Sequence, residues 1–383
     1  MIKDGHISSM QLIAIMLIII IGKGLDSAIL ILIHWGHSAP ELLMLVGEIG
    51  IVTIVALQLP LFKDPNKNLI DLLIDTFGGV MGSLFGFSLF TSLLLDLAMN
   101  VYYDIEQIRV VFLPTTPPNL VLFLSIVAMI IPAYYGIEVL GRTNLIMFAL
   151  MMVVILSLIA ISFTLINIDY MPPLLGPGIP QLLKQGVLHS GFFGEYLVYL
   201  MLRPYVRSYR SFRNSFYIIA GISILFGAIG LVIIQLVFPY PIDDHLFFPF
   251  IELAKLIYFG RFIQHIEAVY AVTWLAVTFA RLSLLLYVLS LMAASVARTP
   301  HFRRFAPSIG AMIYYGALLP PTLSDAIDFK DIMLEKRGFP FYGGIAILFL
   351  IVGYLKKWRN KPNGGQNPSA EQQAAPDAAT VQP

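Results

Sequence analysis

The stretch I-I-I-G-K-G-L-D-S-A, Ile19 to Ala28, interrupts an apolar run from Met10 to Trp35 that otherwise has the composition of a bilayer-spanning helix. Two glycines flank a lysine, and an aspartate follows two residues later. Ionisable side chains at membrane depth cost several kcal/mol (about 3 or more) unless they pair or face a polar cavity, and Gly weakens a helix by about 1 kcal/mol relative to Ala. Irregular backbone survives in a bilayer only where protein or a water-filled cavity satisfies its polar groups. The stretch therefore reads as a discontinuous helix lining a binding site, the device by which many secondary transporters hold small polar substrates. The plainer reading is a flexible helix with Lys23 and Asp26 paired.

Composition sets the class of the whole chain. Of 383 residues 58% are hydrophobic and 12% charged, with a mean hydropathy of +0.82. No water-soluble core hides that much apolar surface, so the chain is read as an integral membrane protein. The absence of cysteine excludes disulfides, thiolate metal sites and a cysteine nucleophile. A net charge of +1 and the lack of a basic, aromatic surface module argue against nucleic-acid binding. The first apolar segment lacks a cleavage pattern and is too long for a signal peptide, so it is expected to remain as a span.

At about 20 apolar residues per crossing, ten transmembrane helices are expected, near 10–34, 40–61, 77–102, 118–140, 144–168, 185–206, 214–238, 264–296, 305–321 and 340–356. An inside N-terminus puts 15 of the 24 Lys and Arg residues on the inner side and 7 on the outer, leaving Lys23 and Arg281 in the membrane. That bias predicts that both termini are cytoplasmic. Residues 1–358 form the transmembrane domain. Residues 359–383, rich in Asn, Gln, Pro, Ala and Gly, are expected to be a disordered cytoplasmic tail. Phe247 to Phe262 and Asp325 to Arg337 read as amphipathic helices on the outer face. The prolines of F-L-P-T-T-P-P at 112–118 and of Y-M-P-P-L-L-G-P-G-I-P at 170–180 stiffen the approaches to spans four and six.

Span six carries a second break, V-L-H-S-G-F-F-G-E-Y from Val187 to Tyr196. Gly-interrupted spans at corresponding positions of two halves point to a 5+5 inverted repeat, with broken helices one and six and a site near the midplane. Half-helix ends offer free N–H groups to a carboxylate and free carbonyls to an ammonium, so a zwitterionic amino acid fits. The expected ligand-binding residues are Gly22, Lys23, Gly24, Asp26 and Ser27 at the first break and Ser190, Gly191, Phe192, Gly194 and Glu195 at the second. Thr91 on span three and Thr273 and Trp274 on span eight would complete the pocket. Glu195 reads either as a ligand or proton acceptor or as a helix cap. Lys23 is expected to pair with Asp26 or with Glu48, and Arg281 to anchor span eight to the first half. Asp96 reads as a vestibule or packing residue, Glu138 with Arg142 as a solvated pair, and His189 as a hydrogen-bonded structural residue. His34 and His37 have no third ligand nearby, so no metal site is expected. No nucleophile motif, phosphate loop or carboxylate pair is present, so the chain is read as a non-enzyme without cofactors.

Four motifs in order, F-L-P-T-T-P-P-N at 112–119, Y-G-I-E-V-L-G-R at 135–142, F-F-G-E-Y at 192–196 with Arg203-Pro204-Tyr205, and H-I-E-A-V-Y-A-V-T-W at 265–274, resemble the B subunit of bacterial spore germinant receptors. That family is itself similar to amino acid/polyamine/organocation transporters, and the likeness covers about residues 7 to 358. It implies a multi-pass protein of the spore inner membrane that senses a small nutrient, commonly an amino acid. It also implies two partners, a larger A subunit in the membrane and a lipoprotein C subunit. The chain departs from the family at the first break, where Lys23 and Asp26 stand in place of the usual small or hydroxyl residues. Three functions follow: a germinant receptor subunit, a proton-coupled amino-acid permease, or a scaffold whose pocket is closed by side chains such as Lys23, Phe192 and Phe193.

Overall fold

The computed structural model describes residues 4–26, 28–170, 173, 175–240, 246–257, 266–332 and 338–359. Its elements, in order, are α1 (Ser9–Gly24), α2 (Ile29–Gly36), α3 (Pro40–Gln58), α4 (Leu69–Phe77), α5 (Gly79–Val111), α6 (Pro118–Tyr135), α7 (Ile137–Ser162) and α8 (Ile179–Leu188). There follow α9 (Tyr196–Met201), α10 (Tyr209–Val237), α11 (Pro249–Leu256), α12 (Ile266–Val296), α13 (Phe305–Ala317), α14 (Leu323–Phe329) and α15 (Gly338–Arg359). No strand occurs among the described residues.

The bundle is built around α1 and α12. A helix that is apolar on every face is stable only when surrounded, and α1 is buried from Leu12 through Ile19. It packs against α7, α10 and α12, while α12 also packs against α5, α6 and α13. A capping box starts α1: Ser8 Oγ accepts the Gln11 N–H, and the Gln11 side chain accepts the Ser8 N–H. Around this core the outward surface is apolar, with Val80, Phe123, Ile146, Val153, Tyr217 and Leu225 each more than half exposed. Such a surface is at home against lipid chains. The chain is a multi-pass membrane protein.

Among the described residues six helices are long and apolar enough to cross a membrane: Pro40–Leu61, α5, α6, α7, α10 and Glu267–Val296. The pair α1 and α2, inclined at 55°, makes a seventh if counted as one broken span. The other three expected crossings are helical as well. They are the interrupted run α8–α9, the 13-residue α13, and the 22-residue α15, which ends in Lys356, Lys357 and Arg359. The ten-crossing topology thus remains an expectation from hydropathy. Single cysteines at the exposed Ser208 and Ser324 should be labelled from opposite sides of the membrane, Ser324 from outside. Labelling of both from one side would overturn that topology.

Two boundaries differ from the expected ones. Span four ends at Gly136, whose φ of +92° stops α6 and lets α7 start at Ile137 rather than near 144. A Cβ there would run into the Asp4 carboxylate, which accepts the Ile137 N–H. Span three runs on to Val111, so helix persists almost to Pro114. Within the two stretches expected as outer-face helices, 247–262 and 325–337, the structure has the helices α11 and α14, the latter followed by Lys330–Ile332; 258–262 and 333–337 lie outside the described residues, as do Ser27 and the tail from 360. Glu138 and Arg142 form an exposed pair at 3.9 Å.

Arg203, in the turn after α9, is buried and binds three main-chain carbonyls. Its Nε donates to Phe62 O at 2.9 Å, Nη1 to Val206 O at 2.5 Å and Nη2 to Lys63 O at 3.4 Å. A planar fork of donors suits the acceptors left free where α3 ends.

Candidate functional site

Both breaks are helical turns gone short rather than open loops. At the first, α1 ends with the Leu25 N–H donating to Gly22 O at 3.2 Å, and Asp26 Oδ1 accepts the Ala28 N–H at 2.7 Å where α2 begins. At the second, residues His189–Phe193 form a 3-10 helix between α8 and α9. None of Gly22, Gly24, Gly191 or Gly194 has a positive φ, so their use lies in the missing Cβ. A Cβ on Gly22 would meet Arg281 Cδ at 3.4 Å and Val277 on α12, whereas one on Gly24 meets nothing within 4 Å. On the facing helix α3, a Cβ on Gly47 would meet Gly186 O at 3.0 Å, which is how α3 comes so close to the second break.

Lys23 joins the two breaks. Its ammonium lies 2.8 Å from Glu195 Oε1 and donates to Oε2 at 2.9 Å and to Phe192 O at 2.5 Å. It also stands 4.3 Å from the centroid of the Phe192 ring. Lysine and glutamate are both buried. The expected partners are therefore corrected: Lys23 is bound by neither Asp26 nor Glu48 but by a carboxylate 172 positions away. Glu195 stands at the N-cap of α9 but makes no side-chain cap bond there, its carboxylate being taken by Lys23.

Asp26 is held instead by Arg281. The Nη2 of this arginine donates to Asp26 Oδ2 and to Asp104 Oδ2, each at 2.9 Å. Arg281 on α12 is thus the expected anchor to the first half, tying the break to α5. Tyr270 on the same face of α12 donates its hydroxyl to Leu25 O at 3.2 Å, and Trp274, four residues on, is buried on that face. The Trp274 Nε1 has no acceptor among the described residues.

A third cation comes from the segment after α14. Lys330, fully buried, donates to Asn100 Oδ1 at 2.8 Å and lies 3.3 Å from Asp96 Oδ1. Next to it Asp331 Oδ1 lies 2.9 Å from His189 Nε2, whose ring stacks on Trp35 at 5.0 Å. His189 Nδ1 faces Gln185 O at 2.8 Å, so both ring nitrogens are engaged, as expected of a structural histidine. Glu48 is treated differently: Oε1 accepts the hydroxyls of Tyr196 at 2.8 Å and Ser223 at 2.6 Å.

Two cavities of about 80 Å³ flank the Lys23–Glu195 bridge. The first is bordered by Gly24, Glu48, Phe192, Phe193 and Ser223, the second by Ser92, Asp96, Gly191, Gly194 and Glu195. A wider one of about 350 Å³, reached past His34, Trp35, Ser324 and Asp331, lies beyond the Lys330 segment. The structure thus brings together Gly22, Lys23, Gly24, Phe192 and Glu195, with Gly191 and Gly194 behind them. Asp26 is next to them but committed to Arg281. Ser190 is buried and donates to Val187 O of its own turn. Thr91 is a correction: its hydroxyl donates to Phe87 O on α5, and the cavity is faced by Ser92 and Asp96 instead. One residue along a helix turns a side chain through about 100°, enough to leave the pocket. Thr273, though buried, lines neither flanking cavity, and nor does Trp274. Ser27 lies outside the described residues. Lys330, Tyr270 and Asp104 were missed, and their only signal was charge or hydroxyl in an apolar context. No cluster of three His, Asp or Glu among the described residues is placed to hold a metal.

The fold is that of solved transporters. The chain superposes on MhsT in complex with L-phenylalanine with a TM-score of 0.67 at 14% identity, covering 91% of this chain and 90% of that one. It superposes on a Na+-coupled sialic acid symporter in its substrate-bound outward-open state with a TM-score of 0.62 at 13% identity, over 92% and 90% of the two chains. These neighbours share the LeuT fold, an architecture of transporters rather than of enzymes. No curated protein matches the chain in sequence. Residues 6–326 match the spore permease family, described as spore germination protein. With a broken first helix, an interrupted run at the sixth position and that match over most of its length, the chain belongs to the spore germination protein family of permease-like membrane proteins.

Proposed function

We propose that the chain is the permease-like subunit of a spore germinant receptor, which binds a small amino acid between its two breaks. It passes the signal to a larger A subunit and a lipoprotein C subunit in the spore inner membrane. The observation that carries this reading is the Lys23–Glu195 bridge. One ion comes from each break, and the pair closes the space between the flanking cavities. Separating a buried ion pair is costly because each ion is left without a partner. A zwitterion avoids that cost: its carboxylate takes Lys23 while its ammonium takes Glu195, so two pairs replace one. Neutral sugars and alcohols offer no such exchange. Opening the bridge also separates α1 from the second break, a two-state change that a partner subunit can read.

Titration calorimetry on the purified full chain against the common amino acids, with glucose and inosine as neutral probes, tests the reading. An amino acid should bind, and the neutral probes should not. Gly24→Val and Gly191→Val should each weaken that binding at least tenfold while the protein still reaches the membrane, since the Cβ of residue 24 enters open space rather than a packed wall. Unchanged affinity in a chain carrying both would sink the site. A second reading, a proton-coupled amino-acid permease, draws on the likeness to solved transporters and uses the same residues. Uptake of labelled amino acid into proteoliposomes separates the two, because a receptor subunit binds without accumulation.

A further inference from the structure

The cavity on the Gly24 side of the bridge has a chemistry of its own. Its walls are almost wholly apolar, with Ile20 and Leu25 from the first break, Ile155 and Ile159 from α7, Phe226 from α10 and Phe250 from α11. No Lys, Arg or His is among its lining residues. The acid at its wall is Glu48, 1% exposed. Both hydroxyl donors of Glu48, Tyr196 and Ser223, converge on Oε1, and Oε2 accepts no hydrogen bond among the described residues.

The ions nearby do not supply what Glu48 lacks. Lys23 is held on Glu195, Arg281 on Asp26 and Asp104, and Lys330 on Asp96. Of the carboxyl groups at and beside the breaks, Glu195, Asp26, Asp104 and Asp96 are paired with these three cations and Asp331 with His189, whereas Glu48 has no basic partner among the described residues. A carboxyl group in an apolar cavity without a counter-ion is costly as an anion. A cationic ligand head would relieve that cost, and the walls would bury an apolar tail. A pocket that is mostly apolar with one well-placed polar group is the usual form of a small-molecule site.

We propose that this cavity is a second ligand site, distinct from the gap between the breaks, and that it takes a small apolar primary amine with its ammonium on Glu48 Oε2. The volume of about 80 Å³ suits a branched alkyl chain of four or five carbons. The site does not depend on what binds at Lys23 and Glu195.

The test is titration calorimetry of the full-length chain in nanodiscs with isopentylamine, using isopentanol as the uncharged isostere and protein-free nanodiscs as the control. The amine should bind at least tenfold more tightly than the alcohol. Glu48→Gln should remove that preference, and Ile159→Trp, which fills the cavity without touching the carboxyl group, should remove the binding of both. Ile159→Trp keeps the question open to a negative answer if Glu48→Gln does not fold. The double variant Lys23→Met with Glu195→Gln should leave amine binding unchanged. Equal binding of amine and alcohol, no binding of the amine, persistence of amine binding in Ile159→Trp, or its loss in the Lys23/Glu195 double variant would each overturn the proposal. The last would place the amine at the breaks.

Discussion

Lys23→Met is expected to destabilise the chain by about 3–5 kcal/mol, the usual cost of leaving one member of a buried pair without its partner. Glu195 is buried and is held by this lysine, and methionine leaves the carboxylate without the ammonium that binds it. Glu195→Gln should be costly for the converse reason, since the ammonium loses the carboxylate it is paired with. Adding Glu195→Gln to Lys23→Met removes both ions and should restore most of the thermal stability of the detergent-solubilised protein. The double variant should nevertheless fail to bind an amino acid, because the groups that would receive its two charges are gone. Adding Asp26→Asn to Lys23→Met should instead compound the damage, since Asp26 belongs to Arg281. Rescue by Asp26→Asn with none by Glu195→Gln would show that the lysine is bound elsewhere.

Arg281→Met should be at least as harmful, because one guanidinium nitrogen holds two carboxylates. Its loss leaves Asp26 and Asp104 facing each other across a buried space, and it frees the residue that accepts the first N–H of the α2 turn. Membrane levels of the variant should fall by more than tenfold. Arg281→Lys should recover only part of the loss, since an ammonium is a point charge on a flexible stem and lacks the planar reach of the fork. Combining Arg281→Met with Asp26→Asn and Asp104→Asn should bring the level back toward that of the parent, as neutral amides cost less to bury than unpaired anions. Near-normal levels of Arg281→Met alone would show that the three groups are not held together in the membrane.

Much of this protein was legible as text. An all-helical membrane protein, the interruptions at Gly22–Asp26 and Ser190–Glu195, and the anchoring role of Arg281 all follow from local facts. Apolar runs have the length of a bilayer, glycine and charge in such runs are costly, and arginine keeps its proton. Local costs of that kind are additive along the chain, so spacing and composition reveal them. Partner choice is another matter. Lys23 has Asp26 three residues away and Glu48 on the next span, yet it binds Glu195. Asp26 is turned toward α12 by its place at the start of α2, and Glu48 is taken up by Tyr196 and Ser223. Which face each side chain presents depends on how α1, α3, α9 and α12 pack, and packing is a sum over contacts between residues far apart in sequence. Thr91 shows the same limit at the scale of one residue, since the phase of α5 gives the cavity to Ser92 and Asp96. Lys330 shows it at the scale of the chain, where a charged residue of the segment after α14 is buried on Asp96 and Asn100. Composition and spacing alone require charges inside this bundle. Which of them meet is settled by packing, because at membrane depth an ion is stabilised by the neighbour that the fold brings within about 3 Å rather than by the one nearest along the chain.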